Sequence, residues 1–354
     1  MQTPTLEFRV KEIIQETADT KTFVLEPVDD ISLAYRPGDA SPGQFLTFLL
    51  HLENHEVRRS YSMSSAPGID ALPAITIKRV ANGEVSRYWH DRVKVDTILN
   101  ALPPAGRFTL DSPENDEPRD LFLVAAGSGI TPLFSILKHA LTYEPTSRVT
   151  LLYASRRERS IIFNDQLEEW QQRYPDRLEI IHILSQPSDD WTGRRGRINN
   201  YRLENIVRKR LNFATERARF FLCGPFELMR VAEITLLFMG FAPAQIRKEN
   251  FVIDTVPPPP KKSEPHTIRL NFHGDERELE VPAYTSILQA ALNNSIPIQY
   301  SCKGGRCGTC AAICRAGEMR MSLNDVLTER DLAQGWVLTC TGYAESEGVV
   351  LEII

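Results

Sequence analysis

The chain predicts a multidomain protein: an antiparallel β-barrel, then an α/β doubly wound parallel sheet, then a small α+β unit. Three observations carry this. In the first third, short apolar runs such as 45–50 and 74–80 are separated by Gly/Pro turns, as in an antiparallel barrel. Beyond a turn-rich stretch at 113–118, apolar runs at 121–126, 149–153, 178–184 and 220–222 alternate with helical periodicity at 133–140 and 228–239, the pattern of a parallel sheet. Residues 254–266 then hold four consecutive prolines, which favour an extended, semi-rigid tether. The expected limits are 1–115, 116–254, a Pro-rich linker at 255–265, and 266–354.

With 42% hydrophobic and 25% charged residues in 354, the composition is that of ordinary globular protein and excludes membrane-embedded and disordered classes. A formal net charge of −5 argues against a nucleic-acid partner. Residues 266–354 carry 11 Asp/Glu and 7 Lys/Arg, so most of the acidic excess sits there, either steering a basic partner protein or forming a solvated face. Six cysteines, no secretory signal at the start and no apolar run of 18 residues predict a reducing, cytoplasmic setting, no disulfides and no stable membrane insertion.

In the first unit, Arg58-Arg59-Ser60-Tyr61-Ser62-Met63 places a guanidinium, an aromatic ring and a hydroxyl on one short strand. Alternation puts Arg59 and Tyr61 on one face. A phosphate-bearing aromatic cofactor needs such a set, though an exposed strand with scattered charges reads the same way. Lys78 and then Gly83-Glu84-Val85-Ser86 precede helical periodicity at 87–93, with Ser86 as N-cap and a helix N-terminus able to receive phosphate. With Pro42-Gly43-Gln44-Phe45, these segments resemble the FAD domain of the ferredoxin-NADP reductase superfamily. That resemblance implies that Arg59 binds the pyrophosphate, Tyr61 packs on the isoalloxazine, Ser62 approaches its N5, and Gly83, Val85 and Ser86 close over the phosphates. Asn82 stands where the family often has glycine.

In the second unit, Gly127-Ser128-Gly129-Ile130-Thr131-Pro132 lies between an apolar run and a helix, where glycines let backbone approach a pyrophosphate and Pro132 suits a first helical turn. It lacks the last glycine of the usual dinucleotide fingerprint, and a simple tight turn is the plain alternative. Cys223-Gly224-Pro225 ends another strand, so two strand ends converge on one crevice. Cys223 is either a buried core cysteine or a neighbour of the nicotinamide. The same superfamily carries G-x-G-x-[TS]-P and C-G-P at these places, and an acidic residue followed by an aromatic near the unit's end, matched by Glu249-Asn250-Phe251. The resemblance implies that Glu249 orients the nicotinamide and Phe251 meets the flavin; a solvated helix-end charge is the other reading of Glu249. Ser155, Arg156, Arg157 and Arg159 follow the strand at 149–153 and lean towards NADPH over NADH.

In the third unit, Cys302, Cys307, Cys310 and Cys340 fall in the order C-x4-C-x2-C-x29-C, the ligand spacing of a plant-type [2Fe–2S] cluster. Zinc is the alternative, but its knuckles usually come in two close pairs and Cys340 stands alone. The glycines at 304, 305 and 308 suit a tight loop turning N–H groups to the sulfurs. Cys314, at a helix-like interval from Cys310, reads as a small buried residue. Strands at 267–272, 278–281, 336–339 and 349–353 and a helix at 286–292 make this unit similar to the β-grasp ferredoxin fold.

The whole chain resembles the reductase components of bacterial multicomponent oxygenases, and most nearly the phenylacetyl-CoA epoxidase and 3-ketosteroid 9α-hydroxylase reductase groups, which share C-K-G-G-x-C and V-L-[ST]-C. The resemblance implies electron transfer from NAD(P)H through FAD and a [2Fe–2S] cluster to a terminal oxygenase or other one-electron acceptor protein. A reductase serving a desaturase or a hybrid cluster protein, or a sensor or carrier without turnover, would share the same motifs.

Overall fold

The computed structural model of the protein describes residues 5–28, 40–52, 55–111, 117–251, 263–272 and 274–353. The expected linker lies outside these residues except for 263–265, as does most of the turn-rich stretch near 113–118. The described chain forms two compact units, one drawn from Leu6–Pro104 and Phe108–Phe251, the other from Ala105–Arg107 and the C-terminal residues.

The first unit begins with β1 (Leu6–Thr17), β2 (Thr20–Pro27), β3 (Phe45–Leu52), β4 (His55–Ser62), β5 (Ala74–Lys78), α1 (Glu84–Asp91) and β6 (Ile98–Ala105). The six strands form one sheet, ordered β4-β3-β6-β1-β2-β5. Its two edges meet where Met63, just past β4, bridges Ile75 of β5, which curls the sheet towards a barrel. Phe23, Phe48 and Trp89 fill the interior in edge-to-face contacts at 4.9 Å. Helix α1 starts earlier than the Ser86 cap predicts. Gly83 is its N-cap, and Ser86, buried inside the first turn, accepts a hydrogen bond from Val80 N and donates to Gly83 O.

The same unit continues through β7 (Asp120–Ala126), α2 (Ile130–Tyr143), β8 (Arg148–Ser155), α3 (Asn164–Arg173), β9 (Leu178–Leu184), β10 (Arg194–Arg195), α4 (Asn200–Arg210), β11 (Ala218–Cys223), α5 (Phe226–Phe238) and β12 (Ile246–Glu249). All five pairings in the order β10-β9-β8-β7-β11-β12 are parallel. The order reverses between β7 and β11, so the crevice beyond their C-terminal ends is the place where a doubly wound sheet binds ligands. Both faces are covered: Leu121, Leu123 and Ala125 of β7 pack into one core with α2, while Phe122 and Val124 pack into the other with α4 and α5.

Helix α2 also seats the barrel. Ser135 donates to Ser65 O at 2.7 Å, Tyr143 to Gly68 O at 3.2 Å, and the buried Lys138 ammonium pairs with Asp70, whose carboxylate also caps Ala66 N. Gly43, at φ +94°, has no room for a side chain, since a Cβ would stand 2.1 Å from Phe108 O. That contact explains the Pro42-Gly43 turn.

The second unit contains β13 (His266–Phe272), β14 (Asp275–Val281), α6 (Ile287–Asn293), β15 (Ala311–Ala316), β16 (Met319–Met321), α7 (Glu329–Ala333), β17 (Trp336–Leu338), β18 (Gly342–Ala344) and β19 (Val350–Ile353). Its main sheet is mixed, ordered β14-β13-β19-β15-β17, with β13 and β19 parallel and α6 against the core. This is the β-grasp arrangement. Ser286 caps α6 by accepting from Gln289 N at 3.3 Å. Cys314 departs from the sequence expectation: it lies on strand β15, is partly exposed, and its thiol donates to Ala316 O at 3.3 Å.

Candidate functional site

The end of β4, the end of β11 and the end of β12 bring three expected residues together. Ser62 Oγ donates to Glu249 Oε2 at 3.2 Å, across 187 residues of chain, and Glu249 is the register partner of Cys223 in neighbouring strands. All three are buried. Glu249 is therefore the end of a strand inside the protein, and the reading of it as a solvated helix-end charge falls. Burial pushes its carboxyl up to about 8, against the pull of the Ser62 hydroxyl in the other direction. Burial, then the nearby Glu249, pushes the Cys223 thiol well up. At neutral pH the crevice thus holds a hydroxyl, a thiol and a carboxylic acid, none of them charged.

The residues expected on the flavin side lie on β4, at the end of β5 and at the start of α1. Tyr61, one residue before Ser62, packs edge-on against Trp89 at 5.7 Å, and burial drives its phenol pKa upward. Arg59 is exposed on the same strand. Lys78 ends β5 beside Asp19, 3.4 Å away, so its ammonium is already paired. At α1, a Cβ on Gly83 would lie 2.7 Å from Ser86 Oγ, and Val85 is buried. The first N–H groups of a helix have no intrahelical acceptors, so this turn fits a phosphate. Trp89 Nε1 is buried without a hydrogen-bond acceptor among the described residues. Nothing in the sequence marked that donor beyond an aromatic three residues after Ser86.

The nucleotide-side loops are backbone against backbone. A Cβ on Gly129 would stand 2.1 Å from Cys223 O, and one on Gly224 3.1 Å from the Ala126 Cβ. Gly127, at φ +53°, has the opposite surroundings: apart from its chain neighbours, no atom of the described residues lies within 4 Å of where a Cβ would be. Open space over a left-handed glycine at a helix N-terminus fits a pyrophosphate. Thr131 donates to Ser128 O at 2.7 Å and Pro132 is buried in the first turn of α2, while Pro225 is the N-cap of α5. Phe251 is 44% exposed just beyond β12.

At the end of β8, Ser155 is buried beside the Tyr153 phenol, and Arg156 just beyond it is exposed. Arg157 and Arg159 line a cavity of about 790 Å³ with Glu158, Gln186, Pro187 and Ser188. Glu158, which the sequence reading passed over, accepts from Ser188 N at 2.9 Å and Ser188 Oγ at 2.7 Å. Its own backbone N–H and then Ser188 hold its carboxyl below the ordinary range.

In the C-terminal unit, the four expected cysteines lie within hydrogen-bonding reach in a chain, Cys307 to Cys302 to Cys340 to Cys310. Gly304 N donates to Cys302 Sγ and Gly305 N to Cys340 Sγ, each at 3.3 Å, and Cys307 Sγ meets Thr309 Oγ1 at 3.2 Å. Left-handed backbone falls on Lys303, Gly305 and Gly308, with Lys303 taking the place expected for Gly304. At Gly305 a Cβ would lie 2.6 Å from Leu323 O. Thiols lined by converging N–H groups suit a cluster whose sulfurs carry negative charge. The Cys302 thiol is held down by donors on Cys307, then Cys340, then the backbone at Arg306 and Gly304.

Three family models match the chain. An oxidoreductase FAD-binding domain matches residues 7–110, an oxidoreductase NAD-binding domain 123–233 and a 2Fe-2S iron-sulfur cluster binding domain 270–345. The chain is 34% identical to the ferredoxin reductase component of 3-ketosteroid-9-alpha-monooxygenase from Mycobacterium tuberculosis, over 97% of this chain and 94% of that one. It is 31% identical to a subunit of the 1,2-phenylacetyl-CoA epoxidase from Escherichia coli, over 97% and 96%. Phthalate dioxygenase reductase shares the fold at a TM-score of 0.60 and 22% identity, over 99% of this chain and 98% of that one. FAD, NAD(P)H and a [2Fe–2S] cluster are accordingly the cofactors of an electron-transferring oxidoreductase, and the chain belongs to the ferredoxin-NADP reductase superfamily, in the branch that ends in a plant-type [2Fe–2S] domain.

Proposed function

We propose that this chain is the reductase component of an oxygenase system, passing electrons from NAD(P)H to a partner terminal oxygenase. The observation that carries the reading is the pairing, in one polypeptide, of the uncharged Ser62–Glu249–Cys223 crevice with a four-cysteine loop. When bound, the nicotinamide supplies a hydride, the flavin accepts a pair and releases single electrons, and the cluster carries them one at a time. In this reading Ser62 holds its hydroxyl at the flavin edge, oriented by Glu249. The Cys223 thiol and Glu249 pack beside the nicotinamide without adding charge. Gly127, Gly129, Thr131, Pro132, Gly224 and Pro225 shape the pyrophosphate loop, and Phe251 covers the flavin. Arg59, Lys78, Gly83, Val85 and Ser86 belong to the FAD phosphates, and Tyr61 to the ring. Cys302, Cys307, Cys310 and Cys340 ligate the irons. The domain limits 1–115, 116–254 and 266–354, with a linker at 255–265, follow the same division.

Both named relatives serve oxygenating systems, one acting on a 3-ketosteroid and one on phenylacetyl-CoA, which favours an oxygenase as acceptor here. Among the described residues no helix is long and apolar enough to cross a membrane. NADPH is favoured over NADH, because Glu158 is engaged by Ser188 and two arginines face the adjoining cavity. The test is anaerobic mixing of the purified holoprotein with each nucleotide. Bleaching of the flavin band followed by the cluster band supports the reading, and an unchanged spectrum with both nucleotides ends it. Co-purification with an oxygenase whose turnover depends on this chain tests the acceptor.

A further inference from the structure

We infer that Tyr153 is a positioning residue for the nicotinamide nucleotide, its buried hydroxyl tying the pyrophosphate loop after β7 to the arginine loop after β8. The phenol is fully buried, near the C-terminal end of β8 and opposite Ala125 of β7. Its hydroxyl donates to Gly127 O at 3.0 Å and accepts from Ile162 N at 3.2 Å. One oxygen therefore satisfies a carbonyl on one loop and an N–H on the other.

The bond to Gly127 has a directional consequence. In a trans peptide the C=O and the following N–H point opposite ways, so holding Gly127 O against Tyr153 turns Ser128 N–H away from the phenol. The Thr131 hydroxyl, bonded to Ser128 O at 2.7 Å, does the same for Gly129 N–H. Two side-chain hydroxyls thus fix the carbonyls of the loop and, through them, the facing of two N–H donors, which is the arrangement that receives an anion. The Ile162 bond anchors the far end of the segment that carries Arg157 and Arg159, whose side chains line the neighbouring cavity. Burial keeps the phenol protonated, so it remains a donor. The inference rests on the assignment of Gly127–Gly129 to the nucleotide.

Replacing Tyr153 with Phe keeps the ring and removes both bonds, leaving Gly127 O held by the backbone N–H of Ile130 alone and Ile162 N–H without the phenol oxygen. Nucleotide binding then has to order two loops that the native chain holds ready. The experiment is anaerobic stopped-flow reduction of the flavin in the full-length holoprotein at varied NADPH and NADH. The expected result for Tyr153→Phe is a half-saturating concentration raised about tenfold for both nucleotides, the size of one lost hydrogen bond. The limiting rate and FAD content stay at parental values, and melting stays cooperative with its midpoint lowered by only about 2–4 °C, the cost of two buried groups losing a partner. Half-saturation within about twofold of the parent overturns the inference. So does loss of FAD or of cooperative melting, which would make the tyrosine a folding residue only. Gly127→Val fills the open space over the loop and serves as the reference. If it weakens binding while Tyr153→Phe does not, the tyrosine inference alone fails. If neither does, the loop assignment fails and the inference with it.

Discussion

The cluster loop and the nicotinamide crevice handle charge in opposite ways. Around the cysteines, Gly304 N and Gly305 N point at sulfur, so negative charge is met by backbone donors. In the crevice, a carboxyl pushed up to about 8 and a thiol pushed higher stay protonated, so charge is withheld from the place proposed above for hydride transfer. The two also differ in how they are assembled. The cluster residues lie within 302–340, whereas Ser62 and Glu249 meet across 187 residues. In the proposed relay, the site that collects single electrons is built from one local loop, and the site that aligns two cofactors needs the ends of three strands.

The largest effect should come from separating the two regions. Cys307→Ser removes one of the four proposed ligands, so cluster absorbance is expected to vanish and reduction of cytochrome c to fall by more than about 100-fold. Ferricyanide, which takes electrons directly from flavin, should be reduced at near the parental rate. Equal loss of both activities in an FAD-loaded variant would show that the two regions do not act as separable stages.

A smaller effect tests the uncharged crevice. Glu249→Gln keeps an acceptor for the Ser62 hydroxyl but cannot ionise, and the limiting rate of flavin reduction is expected to fall about tenfold through altered alignment. The pH dependence is sharper. The folded carboxyl keeps its proton up to about 8, while the unfolded one loses it near the ordinary value of 4.5. Between those values unfolding releases a proton, so stability falls as pH rises through the window. Denaturation midpoints measured from pH 5 to 8 should decline in the parent and decline less in Glu249→Gln. Parallel slopes would mean that the acid is ionised in the folded protein.

What was legible in the sequence follows the same contrast. The cysteine spacing, the buried strands at 121–126 and 149–153 and the β-grasp order could all be read because each is a local pattern. The nature of Glu249 could not, because β12 is four residues long and paired only to β11, too short to show alternation. The start of α1 was misplaced for a related reason. Serine favours an N-cap in isolation, but here Ser86 is buried and bonded to both Val80 N and Gly83 O, so the tertiary environment overrode the propensity. Cys314 looked helical from its interval to Cys310, yet β15 begins at Ala311, immediately after the last cysteine of the loop. Tyr153 read only as the end of a strand, since a hydroxyl's partners are invisible until the chain folds.

The smallest effect concerns nucleotide choice, and here the structure shifts the emphasis within the arginine loop. The residue types at 156–159 favour a 2′-phosphate, and of these Arg157 and Arg159 line the cavity beside Ser188. The carboxylate that would prefer a ribose 2′-OH, Glu158, lines the same cavity but accepts two hydrogen bonds from Ser188 on its Oε1, so one of its oxygens is already engaged. Exposed guanidinium–phosphate contacts are weakened by solvent, so Arg157→Gln with Arg159→Gln is expected to raise the KM for NADPH only about 3–10-fold. The KM for NADH should move less than about twofold, because that nucleotide offers no phosphate at this position. Arg156→Gln alone should change the ratio less than the pair does. Ser188→Ala removes one of the two bonds that hold Glu158 and should push the preference towards NADH, as the carboxylate becomes available to a ribose hydroxyl. A KM ratio that stays constant across all of these variants would place the determinant of nucleotide choice outside the Arg157–Ser188 cavity.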